Sequence, residues 1–87
     1  MRTTWRTLIQ DEMEVHNESF AEVVSSTLTD EQLDVAFDCG YGGPEGIPFT
    51  LWTQNRVYFP VCYDGAERVD SVPRNPNNEP SGHFGGW

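Results

Sequence analysis

The chain contains no lysine; its basic residues are Arg2, Arg6, Arg56, Arg68 and Arg74, set against 14 acidic residues in a total of 87. A Walker-type phosphate loop is excluded, because that loop uses a lysine to reach the terminal phosphates. The glycine-rich stretch GYGGPEG from Gly40 to Gly46 matches neither that loop nor a dinucleotide fingerprint. No apolar run approaches the roughly 18 residues that a membrane-crossing helix needs. The N-terminus has no charged start followed by an apolar stretch, so the sequence predicts no secretory signal and a cytoplasmic protein. Cysteine is limited to Cys39 and Cys62, histidine to His16 and His83. In a cytoplasmic protein the two thiols are expected to be free. No two of these four residues fall at the short spacing of zinc ligands, so neither a metal nor any other cofactor is expected.

What the chain has in excess is negative charge, −9 in all. Residues 1–48 carry ten carboxylates against two arginines, −8, whereas residues 49–87 carry four against three, −1. Eleven Phe, Tyr and Trp side chains supply enough apolar area for one small core, so a single domain over 1–87 is expected.

The first half reads as helical. Trp5, Leu8, Ile9 and Met13 recur at helical spacing over 4–16, with Thr3 or Thr4 available as N-cap. Ser19-Phe20-Ala21-Glu22 has the pattern of a capping box and predicts a second helix over 20–27, with Phe20, Val23, Val24 and Leu28 inward. Thr29-Asp30-Glu31-Gln32 repeats the pattern and starts a third, with Leu33, Ala36 and Phe37 inward. At 100° per residue Asp11, Glu14, Glu18 and Glu22 fall within about 80° of one another, opposite the apolar stripe. Asp30, Glu31, Asp34 and Asp38 extend this acidic face onto the third helix. Acidic residues in a first turn also suit the helix dipole, a structural reason for Asp30 and Glu31.

Residues 39–48 hold four glycines and two prolines and cannot continue a helix, which makes them a flexible crossover. Residues 49–72 are dense in β-branched and aromatic side chains. Asp64-Gly65 is a strong hairpin signal, and Gln54-Asn55 offers a second turn. Val57, Phe59, Val61 and Tyr63 alternate with Arg56, Tyr58, Pro60 and Cys62, so one of the two sets covers the helices. From Pro73 to Trp87 the composition turns to proline, glycine and asparagine, predicting an irregular tail. The expected fold is therefore α+β: two or three N-terminal helices packed on a three-stranded antiparallel meander.

No pattern spells out a reaction. Rows of carboxylates are ordinarily a solvated surface and nothing here picks out an acid–base pair, so no catalytic residue is assigned. The helical order of 4–37 superficially suits a helix-turn-helix unit, yet the ten carboxylates of residues 1–48 would repel DNA phosphates. The inverse is attractive. A rigid domain carrying carboxylates at spacings comparable with duplex phosphates can occupy the basic groove of a nucleic-acid-binding protein, with Trp52, Tyr58 and Tyr41 as anchors wherever they face outward. Such a face would comprise Asp11, Glu14, Glu18, Glu22, Asp30, Glu31, Asp34 and Asp38. The plain counter-reading is that the charge only maintains solubility.

From Thr27 to Pro76, with the segments GYGG, VYFP, YDG and SVPRNP, the chain resembles small acidic accessory proteins encoded by bacteriophages and prophages. The resemblance implies a non-enzymatic inhibitor, acting in the host cytoplasm on a basic nucleic-acid-handling protein such as a restriction enzyme, CRISPR effector, repair nuclease or RNA polymerase. It brings no residue roles with it. The alternative is a regulatory or self-associating module that uses the aromatic sheet face around Trp52 and Tyr58.

Overall fold

A computed structural model describes residues 2–38, 46–63, 66–75 and 80. Its elements run β1 (Arg2–Thr3), α1 (Trp5–Val15), a 3-10 turn (Phe20–Glu22), β2 (Val23–Ser26), α2 (Asp30–Leu33), β3 (Phe37–Asp38), β4 (Leu51–Thr53), β5 (Arg56–Tyr63) and β6 (Ala66–Pro73). The expected architecture is thereby corrected. Among the described residues there is one helix of three turns and one of a single turn, a four-stranded antiparallel sheet in the order β2-β4-β5-β6, and a separate β1-β3 pair.

The reasons for the differences are local. Helix α1 starts where Thr4 accepts the Thr7 backbone N–H on its side chain, and it buries Trp5, Ile9 and Met13. It stops because Asn17 adopts φ 61°, a left-handed conformation that asparagine tolerates. Glu18 N–H then reaches Met13 O at 2.9 Å and Asn17 N–H reaches Glu14 O at 3.2 Å, the paired bonds of a Schellman close. The chain reverses there, so the acidic row cannot run on through Glu18.

The second predicted helix is a single 3-10 turn, in which Ser19 makes no side-chain cap, followed by β2. Val23 and Val24 are β-branched, and Ser25, Ser26 and Thr27 compete for backbone hydrogen bonds; both properties favour a strand. β2 pairs with β4 through Val23 opposite Thr53, Ser25 opposite Trp52 and Ser26 opposite Leu51, with a bulge between Val23 and Ser25. The capping box at Thr29 does form, with Thr29 N–H to Gln32 Oε1 at 2.9 Å and Gln32 N–H to Thr29 Oγ1 at 3.1 Å. Only one turn follows it. Leu33 is buried, Ala36 is exposed, and Phe37 belongs to β3, where it pairs with Thr3.

The meander is present as β4-β5-β6. Leu51 lies opposite Tyr58 across the Gln54-Asn55 turn, and Arg56 through Tyr63 pair in unbroken register with Pro73 back to Ala66. Asp64 and Gly65, the predicted hairpin dipeptide, lie outside the described residues, as do 39–45 of the crossover and most of the tail. The ladder nevertheless extends past Val72. Arg74 N–H donates to Asn55 O at 2.8 Å and Arg74 Nη1 to Thr53 O at 3.0 Å.

Trp5 is the centre of the core. Its ring centroid lies 4.7 Å from that of Phe37 and 4.8 Å from that of Phe49, both tilted contacts. The indole Nε1–H donates to Ile47 O at 2.9 Å. Gly46 passes so close that a Cβ there would sit 2.4 Å from the indole Cζ2. The Gly46 N–H is held by both oxygens of the buried Glu67 carboxylate, at 3.0 and 3.2 Å. The end of the crossover is thus fastened to helix and sheet. Ile9, Met13, Leu51 and Tyr58 continue the same core towards the sheet.

Candidate functional site

The eight nominated carboxylates divide. Asp11 and Glu14 are exposed on α1, Asp11 at the rim of the groove facing β6, Glu22 is exposed on the 3-10 turn, and Asp30, Glu31 and Asp34 are exposed on or just after α2. Arg6 draws these elements together. Its Nε donates to Asp34 Oδ1 at 2.6 Å, its Nη2 lies 3.6 Å from Asp30 Oδ1, and its guanidinium carbon sits 5.0 Å from the centroid of Phe20. Asp34 is therefore largely neutralised. Asp11, Glu14, Glu22 and Glu31 make no ion pair among the described residues. Asp38 is half-buried in β3, opposite Arg2, and has further interactions.

Glu18 does not belong to this face. After the reversal at Asn17 it points into the fold, where its carboxylate accepts the Tyr58 O–H at 2.6 Å and the Thr53 hydroxyl at 3.0 and 3.1 Å. Tyr58 is likewise removed as an outward anchor, since its relative exposure is 0%. Trp52 is half-buried on the opposite side of the sheet, where the register aligns it with Ser25 and Val57. Tyr41 lies outside the described residues.

Burial pushes the Tyr58 phenol above its ordinary value, and the hydrogen bond to the Glu18 carboxylate pushes it the same way. The folded state therefore holds this proton more tightly than the unfolded chain does. The stability linked to it is complete below about pH 10 and drains away as pH rises beyond that value. Urea midpoints measured from pH 8 to 11 should fall at the alkaline end for the parent protein and stay flatter for Tyr58→Phe. Parallel curves would show that the phenol is not the responsible group.

Sequence reasoning missed a second polar cluster, on the inner side of the sheet. His16 Nε2 lies 2.8 Å from Glu12 Oε2, and the Ser71 hydroxyl donates to the same oxygen at 2.9 Å. Arg56 Nε in turn donates to Ser71 Oγ at 2.9 Å, and Arg56 Nη2 donates to Ser71 O at 3.2 Å. Arg56 is 7% and Ser71 3% exposed. The signals were the Glu12–His16 spacing beside the apolar stripe and the place of Arg56 in the Tyr58 set. Serine, carboxylate and imidazole here occur in an order unsuited to activating a nucleophile, because the histidine binds the carboxylate rather than the serine. Ser71 Oγ also has almost no contact with solvent. The cluster is structural, and among the described residues no buried side-chain nitrogen or oxygen lacks a hydrogen bond.

The described residues contain no group of three or more His, Cys, Asp or Glu placed to hold a metal ion, and no helix long and apolar enough to cross a membrane. Cys62 is a free, exposed thiol, and Cys39 lies outside the described residues. No protein-family model, curated protein or solved structure matches the chain.

Proposed function

We propose that this protein is a non-catalytic, cytoplasmic binding module that docks its helical flank onto the basic surface of a nucleic-acid-processing protein and obstructs it, as a phage-type inhibitor of a host defence or repair enzyme would. The supporting observation is that Asp11, Glu14, Glu22 and Glu31, on α1, the 3-10 turn and α2, are exposed and make no ion pair among the described residues. Held on a folded scaffold, such charges steer a basic partner and raise its association rate, with a strong dependence on ionic strength. The face is smaller than the sequence suggested, because Glu18 is used internally and Asp34 is paired.

A pull-down from nuclease-treated bacterial lysate tests the reading. At low salt the protein should capture a basic nucleic-acid-binding protein. The capture should be lost at high salt and with Asp11→Asn, Glu14→Gln, Glu22→Gln and Glu31→Gln combined. Capture of partners that are not basic, or capture indifferent to both salt and amidation, contradicts it.

The alternative uses the outer sheet face. Its supporting observation is the register that aligns Trp52 with Val57 and Val57 with Val72 on one side of the sheet. That face predicts binding that survives amidation and fails with Trp52→Ala.

A further inference from the structure

Between α1 and β6 lies an open groove of about 310 Å³, lined by Leu8, Asp11, Glu12, Val15, Val61, Arg68, Val69 and Asp70. Its volume is at the lower limit of small-molecule sites, roughly 300–1,000 Å³, and suits a single side chain. Leu8, Val15, Val61 and Val69 make an apolar wall, and Val15 at the end of the helix is 73% exposed. The ionisable lining is three carboxylates and one guanidinium, a net −2.

Glu12 links this groove to the interior. Both of its hydrogen bonds, from His16 and from Ser71, fall on Oε2, and Oε1 receives none from the described residues. The helix therefore holds a largely buried carboxylate in fixed orientation with one oxygen still able to accept, beside the exposed Asp11 and across from Asp70. We infer that this groove binds an arginine side chain of the basic partner, its methylene stem against Val15, Leu8 and Val69 and its guanidinium between Asp11 and Glu12. Arginine fits better than lysine. Its planar fork can donate to two carboxylates at once, and its weaker hydration makes entry into a partly apolar cleft less costly. The arginine stem covers apolar surface that would otherwise face water.

The inference rests on the proposed basic partner for its biological meaning, but it is testable without that partner. The probe is N-acetyl-arginine amide, titrated into the intact protein and followed by backbone amide NMR. Saturable shifts should appear at Leu8, Asp11, Val15, Val69 and Asp70, and they should be weaker with N-acetyl-leucine amide or with guanidinium chloride. Asp11→Asn and Val15→Ser, both at exposed positions, should each weaken binding about threefold, the scale of one exposed ion pair or a small apolar contact. Gln10→Ala, exposed on α1 and outside the groove lining, should leave it unchanged. Equal shifts from guanidinium chloride, or no saturable shift in the groove, overturn the inference. Shifts confined to α2 overturn it while leaving the acidic-flank reading intact, so the two failures are distinguishable.

Discussion

Trp5→Ala should lower the unfolding free energy by about 3–5 kcal/mol, the range for deleting a large buried aromatic side chain. Natural domains have about 5–15 kcal/mol in total, so this variant should be substantially unfolded at 37 °C. The indole is the shared contact of Phe37 from β3, Phe49 ahead of β4 and the Gly46–Ile47 end of the crossover. Its removal therefore opens a cavity where three distant segments meet and leaves Ile47 O without its donor. Gly46→Ala tests the same contact from the other side. A methyl group 2.4 Å from an indole carbon must displace ring or backbone, at about 1–3 kcal/mol. In the Trp5→Ala background that collision is gone, so the two costs should be strongly non-additive. Urea unfolding of the two single variants and the double variant measures the coupling; additive costs would mean that the ring does not lie over Gly46.

Arg56→Ala should cost about 3 kcal/mol, whereas Arg6→Ala should cost about 1 kcal/mol or less. Both are arginines in polar contact with the helical half, but their surroundings differ. Arg6 is partly exposed and its partner Asp34 is exposed, so water replaces what the variant loses. Arg56 is buried, and its loss leaves Ser71 Oγ and Ser71 O without their donors beside Glu12, where water has little access. Unfolding midpoints of the two variants decide the matter. Equal losses would mean that the inner cluster is no more structural than a surface pair.

The features legible in the sequence were those set by short-range chemistry. Thr4 as a cap, the Thr29–Gln32 box, the Trp5-Ile9-Met13 stripe and the Gln54-Asn55 turn all depend on residues within a few positions of one another. The second helix was misread because Phe20, Val23, Val24 and Leu28 happen to satisfy a 3.6 period over a short window, where helix and strand are hard to separate. The β-branched pair and the hydroxyl run beside it decide for a strand once β4 offers an edge to pair with. In β5 both alternating sets contain large side chains, so pattern does not reveal that Arg56 and Tyr58 face inward. That orientation depends on Glu18, 40 positions away, which accepts the Tyr58 hydroxyl, and on Ser71, 15 positions away, which accepts from Arg56. Glu18 was misplaced for a simpler reason: the angular projection assumed a helix that Asn17 ends.

The reduced acidic face also changes how mimicry must be judged. With Asp34 paired and Glu18 internal, the remaining charges lie on three elements rather than on one continuous row. On the proposed function, the flank would compete with nucleic acid for a basic surface without reproducing a duplex strand phosphate by phosphate. The most direct measurement is the binding of duplex DNA by the captured partner, followed by fluorescence anisotropy, in the presence of this protein or its four-amide variant. The account predicts displacement of DNA by the parent protein, weakening steeply with salt, and at least tenfold poorer displacement by the variant, on the order of the loss of several exposed ion pairs. Displacement equally strong with the variant, or none by either protein at concentrations that saturate the partner, would contradict it.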